Sequence, residues 1–179
     1  MARLVFAMNL SLDGYVDHEE AAPDPVLFQH WIDYAGRISG SLYGSRVYQL
    51  MRYWEVDDPA WSAAEHAFAK AWRAQPVWVA SQSLSSVGPG AELISGDLEP
   101  FVRDLKGRVE GEIDVSGPTL AHSLGQMGLI DEYRLYFHPG VLGQGQPFFR
   151  GPLPRLRFNG MKQVSDSVVC LSYLPGQDA

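Results

Sequence analysis

The residues of this chain best suited to chemistry lie where strands end in turns. Ser116-Gly117-Pro118-Thr119 places a glycine turn ahead of a helix, and Tyr43-Gly44-Ser45-Arg46-Val47-Tyr48 does the same. Val79-Ala80-Ser81-Gln82-Ser83-Leu84 is a third strand end, opening into a hydroxyl-rich loop. Glycine lets a ligand approach the backbone, and the unpaired N–H groups of a helix start suit phosphate. Gly44, Ser45, Arg46, Ser81, Gln82, Ser116, Gly117 and Thr119 are therefore candidate cofactor-binding residues, offering phosphate and ribose partners along one sheet edge. Near the start, Asp13-Gly14 is a preferred turn pair in which Asp can bond its own downstream backbone.

Other reaction types find little support. The five histidines (His18, His30, His66, His122, His138) show neither i, i+4 pairing nor cysteine partners, so no metal site is expected. Neither a G-x-S-x-G elbow nor a Walker loop occurs, and Gly143-Gln144-Gly145 precedes Pro147 rather than opening a helix, which makes it a tight connection. Asp131 and Glu132, at a helix-to-strand corner, are expected to be solvated or at a subunit boundary. The single cysteine, Cys170, sits in the apolar run Val168-Leu171 and reads as a buried core thiol.

The elements that must hold these turns follow from periodicity. Leu4-Met8 and Val77-Ser81 are continuous apolar runs, as buried strands require. Phe28, Trp31, Ile32, Ala35 and Ile38 recur at helical spacing with Gly40 as a stop, and Val47, Leu50 and Met51 mark a second helix. Asp58 and Pro59 are expected to cap a third helix carrying Trp61, Ala64, Phe68 and Trp72. Leu98, Phe101, Val102 and Leu105 mark a fourth, and Leu120, Leu124 and Met127 a fifth. Tyr133, Leu135 and Phe137 alternate with polar neighbours, and the chain beyond Pro154 alternates without helical spacing, which predicts an antiparallel C-terminal hairpin. The order predicts an α/β fold: a mostly parallel central sheet flanked by helices, with ligands beyond the carboxyl ends of the strands.

The 179 residues, 46% hydrophobic, are enough for one substantial core and suggest a single domain over 1–179. A formal charge of −7 disfavours a nucleic-acid or anionic-membrane surface. The N-terminal apolar run is too short for a signal or membrane-spanning segment, so a cytoplasmic protein is expected.

Ser11-Leu12-Asp13-Gly14, Ser116-Gly117-Pro118-Thr119-Leu120, Gly128-Leu129-Ile130-Asp131-Glu132-Tyr133 and Val141-Leu142-Gly143-Gln144-Gly145 occur in an order that resembles the reductase-domain family of riboflavin biosynthesis, which shares the dihydrofolate reductase-like fold. The resemblance implies an NADPH- or NADH-dependent oxidoreductase, similar to 5-amino-6-(5-phosphoribosylamino)uracil reductase, that forms a homodimer. It turns Asp13 toward the substrate and cofactor cleft as the catalytic candidate, with Asn9 and Ser11 beside it to bind a pyrimidine amide edge or ribityl hydroxyls. Four positions depart from the family: Ser45 and Gln82 replace arginines, Val47 replaces a threonine, and Pro118 removes an N–H. Fewer guanidinium forks imply a weaker preference for the 2′-phosphate of NADPH. The same losses leave open a non-catalytic ligand-binding domain that kept the fold. True folate reduction is disfavoured, because Asp33, the only acid on the first helix, lies roughly 140° around from Phe28.

Overall fold

The computed structural model describes residues 1–16, 23–94 and 96–176. His18 and most of the loop expected from Asp17 to Pro25 lie outside the described residues.

Among the described residues eight strands form one sheet in the order β4-β3-β2-β5-β1-β6-β8-β7. The strands are β1 (Arg3–Leu10), β2 (Gly40–Gly44), β3 (Val77–Ala80), β4 (Ala91–Ile94), β5 (Glu112–Ser116), β6 (Glu132–Phe137), β7 (Leu156–Gln163) and β8 (Val169–Pro175). β1 to β6 are parallel, and the β7–β8 hairpin joins β6 antiparallel. β1 lies inside the sheet, and Leu4, Val5 and Phe6 are at most 1% exposed, so the unbroken apolar run of the sequence is covered on both faces.

Among the described residues the α-helices are α1 (Pro25–Arg37), α2 (Ser45–Met51), α3 (Ala63–Arg73), α4 (Leu98–Arg108) and α5 (Pro118–Gln126). Alternation along each strand divides the core in two. Leu4, Phe6, Ile113 and Val115 pack against Val102 and Leu105 of α4 and Leu120 and Leu124 of α5. Val5, Ala7 and Tyr136 pack with Leu27 and Tyr34 of α1, while Tyr43, Val77 and Val79 meet Trp72 of α3.

Several local expectations shift. α1 is capped by Asp24, whose carboxylate accepts from Leu27 N at 2.8 Å, with Pro25 in the first turn. It ends at Ile38, two residues before Gly40, and Gly40 instead opens β2. Asp58 and Pro59 do not start α3. Ser62 does, through a reciprocal box in which Ser62 Oγ accepts from Glu65 N and the Glu65 carboxylate accepts from Ser62 N. Asp58 Oδ1 accepts from Ala60 N and shapes the turn before it.

Glu132 is not a solvated acid, whereas the Asp131 side chain is 36% exposed. Asp131 accepts from Leu4 N and pairs with Lys106, and Glu132 is 4% exposed, held by Arg3, Arg134 and Ser172. Burial opposes the charge on Glu132, but the hydrogen bonds from Arg134 and Ser172 outweigh it and keep its carboxyl below the usual range. Cys170 is buried, with its thiol pushed up by burial. Tyr133 and Leu135 are covered within the chain, so β6 offers no free apolar face. The large exposed apolar residues of the hairpin are Phe158 and Met161 on β7.

Candidate active site

The parallel register sets the carboxyl ends of β3, β2, β5 and β1 side by side. Gly44 pairs with Ala80, just before Ser81 and Gln82, and Tyr43 pairs with Ser116, just before Gly117. The two glycine turns converge: Gly117 has φ +119°, and a Cβ built on it would stand 3.6 Å from Gly44 N. The result is a backbone ledge in the crevice where open α/β sheets bind ligands. Ser45, Arg46 and Thr119 flank it in the first turns of α2 and α5. Ser81 Oγ accepts from Ser83 N and Leu84 N and so shapes its own loop.

Beside the ledge, between the sheet and the α1–α3 pair, is a cavity of about 450 Å³. Phe28, Trp31 and Tyr34 of α1 form one wall. Tyr43, Trp54, Phe68 and Trp72 line it from the other elements, and the Phe28 and Phe68 rings stack 5.8 Å apart where the helices meet. Of the residues proposed from the sequence, Asn9, Arg46 and Ser116 line this space. Asn9 Oδ1 and Trp31 Nε1 are buried in its wall without a hydrogen-bond partner, and a buried polar group in that state costs free energy until a ligand or water meets it. One acceptor and one donor among stacked aromatic faces fit a flat, amide-bearing ring such as nicotinamide or a reducible heterocycle.

Ser11 and Asp13 are turned elsewhere. Asp13 accepts from Ser11 Oγ at 2.6 Å, from Leu142 N at 3.1 Å and from Gly143 N at 2.7 Å, and neither residue lines the cavity. The Ser11 bond chiefly, then the two backbone bonds, holds the carboxyl down at about 2 against slight burial. Asp13 thus ties the β1 turn to the loop after β6, whose Gln146 reaches the cavity. Asp33 faces solvent, bonded by Gln29. Among the described residues no three His, Cys, Asp or Glu side chains converge as a metal site would need.

Sequence reasoning passed over Asp114. It lines the cavity from the middle of β5 at 6% exposure, bonded by Tyr34 Oη at 3.0 Å and by Ser116 Oγ at 2.7 Å. The signal was present, since an acid inside the buried run Ile113-Asp114-Val115 is rare without a reason.

The RibD C-terminal domain model matches residues 2–170. The chain belongs to the RibD C-terminal domain family. A Bacillus subtilis protein, YyaP, of uncharacterised function, is 25% identical over 96% of this chain and 94% of its own length. A candidate riboflavin biosynthesis protein from Shewanella sp. PV-4 superposes with a TM-score of 0.72 at 26% identity, covering 99% of this chain and all of that one. The deaminase/5-amino-6-(5-phosphoribosylamino)uracil reductase of Thermotoga maritima matches at TM-score 0.67 and 17% identity over 98% of this chain. The chain spans only 57% of that bifunctional protein. Enterococcus faecalis dihydrofolate reductase, solved with NADP(H), matches at TM-score 0.66 and 11% identity, covering 98% of this chain and 97% of that one. These likenesses bear out the dihydrofolate reductase-like fold and place this RibD-family chain among reductase-like proteins. Among the described residues no helix is long and apolar enough to cross a membrane.

Proposed function

We propose that this chain is a stand-alone reductase that uses NADPH or NADH to reduce a C=N or C=O bond in a small heterocyclic or sugar-derived substrate. The observation that carries the reading is the aromatic cavity beside the Gly44–Gly117 ledge, with Asn9 Oδ1 and Trp31 Nε1 unmet inside it. A nicotinamide dinucleotide would supply the hydride. The protein has mainly to align two flat rings and exclude water, which aromatic walls do without many reactive side chains.

In this reading Gly44, Ser45, Gly117 and Thr119 take the cofactor phosphates, Ser81 and Gln82 the adenosine ribose side, and Arg46 and Ser116 the passage between ledge and cavity. Asn9 accepts from the bound ring. Asp13 and Ser11 serve by bracing the bordering loop. The protein works in the cytoplasm as a symmetric dimer, pairing through the hairpin face that carries Phe158 and Met161.

Titration with NADPH and with NADH, followed by nicotinamide fluorescence, tests the reading. Saturable binding of either is expected. No binding up to millimolar concentration would favour the second reading, a ligand-binding domain without a cofactor, which the loss of cations at Ser45 and Gln82 supports.

A further inference from the structure

Asp114 is out of place by the usual rules of a sheet interior. Its neighbours on β5, Ile113 and Val115, are fully buried, and its own carboxyl faces the cavity wall rather than an ion-pair partner. Tyr34 faces it from α1, Tyr43 and Ser41 from β2, and Glu112 from its own strand. Arg134 of β6, whose charge acts on it, is engaged by Glu112 and Glu132, and Arg46 lines the same cavity. On β1 the residues of that face are Arg3, which pairs with Glu132, then Val5, Ala7 and Asn9.

Loss of water is the largest influence on this carboxyl. The Ser116 and Tyr34 hydrogen bonds and Arg134 offset it only in part, Glu112 adds repulsion, and the group is pushed up to about 7. Near neutral pH much of the population therefore carries a neutral carboxyl. Protonation reverses the 2.7 Å contact: the carboxyl O–H donates to Ser116 Oγ, and the Ser116 hydroxyl proton is released toward the cavity.

We propose that Asp114 and Ser116 form the proton donor of this cavity, serving an acceptor bond that takes hydride from a nicotinamide dinucleotide. The proposal rests on the reductase reading above. The substrate C=O or C=N carbon accepts the hydride and is reduced, and the π pair moves to the heteroatom. That heteroatom takes the Ser116 hydroxyl proton, Ser116 Oγ takes the Asp114 proton, water reprotonates the carboxylate, and the dinucleotide leaves oxidised. A buried acid that titrates near the working pH is what such a transfer requires.

The test uses the whole protein with phenanthrenequinone, a flat aromatic diketone, as acceptor and NADPH or NADH as donor. The wild type should lose kcat/KM above about pH 7, and Asp114→Asn should slow reduction by about a hundredfold at pH 6 and remove that limb. Nucleotide affinity of Asp114→Asn should stay unchanged. Ser116→Ala should lose the same limb.

A readout without substrate accompanies it. The folded-state value of Asp114 lies above its unfolded one, so its stabilising contribution is complete below about pH 4 and is lost as pH rises through about 7. The melting temperature of the wild type should therefore fall relative to Asp114→Asn between pH 4.5 and 8.5. A constant difference overturns the proposal, as does quinone reduction whose pH profile Asp114→Asn retains. Nucleotide binding without quinone reduction also counts against it, because a preformed acid beside the hydride site should serve any flat diketone that enters. Absence of both binding and reduction overturns the reductase reading, and the donor with it.

Discussion

Arg134 meets Glu112 fork to fork across the β5–β1–β6 face: Nη1 donates to Oε1 at 2.6 Å and Nη2 to Oε2 at 2.8 Å. Its Nε also donates to Glu132, so one guanidinium bridges two largely buried carboxylates, the second of which Arg3 also meets. Removing it leaves Glu112 uncompensated and Glu132 held by Arg3 and Ser172 alone. Arg134→Met should destabilise by about 3 kcal/mol in urea unfolding, while Arg134→Met combined with Glu112→Gln and Glu132→Gln should recover much of the loss. An equal loss in the single and combined variants would show that packing, not charge, explains the position.

Asp13 gives a prediction at the opposite sheet end. All its contacts are donors, so Asp13→Asn turns an amide N–H₂ toward Leu142 N or Gly143 N and cannot preserve the arrangement. The variant should exchange the Leu142 and Gly143 amides faster and melt lower. Because the folded value is depressed to about 2, the stabilisation is present above about pH 4 and is lost as pH falls through about 2. Unchanged exchange at both amides would remove this brace.

The turns that end β2, β3 and β5 were legible in the sequence because glycine and hydroxyl residues punctuate short apolar runs. The helical faces of α1, α4 and α5 were legible from apolar residues at helical spacing. β4 was not: four residues, Ala91–Ile94, with Glu92 among them, gain strand character only by pairing with β3. Trp31, Phe28 and Phe68 read as an ordinary core stripe, because periodicity says which face turns inward but not whether that interior is filled. Asp13 reads locally as a turn residue, and the resemblance alone turns it toward the substrate; its bonds to Leu142 and Gly143, about 130 residues away, are announced by nothing local.

Cofactor choice is expected to follow from Ser45 and Gln82. With these neutral side chains where the family resemblance implies arginines, NADH should bind within about tenfold of NADPH, since a charge-assisted contact contributes roughly 1.5–3 kcal/mol. Gln82→Arg should tighten NADPH and leave NADH unchanged. Fluorescence titrations showing a hundredfold preference for NADPH in the unmodified protein would contradict this.

The proposed dimer pairs through β7, where Phe158 and Met161 are exposed. Sedimentation at micromolar concentration should give twice the 19.8 kDa chain mass, and Phe158→Asp with Met161→Asp should halve it without lowering helix content. A single-chain mass for the unmodified protein would end the argument.

The cavity's aromatic lining arises almost wholly between residues 25 and 73, whereas the ledge is assembled from the ends of β2, β3 and β5. One stretch of gene therefore supplies most of the aromatic cavity together with the Gly44 arm of the ledge, while the other arms of the proposed dinucleotide seat come from β3 and β5. Diversifying Phe28, Trp31, Trp54 and Phe68 alone would retarget the proposed reductase to a new ring while leaving the Gly44–Gly117 ledge in place. Descendants of such a scaffold can diversify in what they reduce long before they change what they reduce it with.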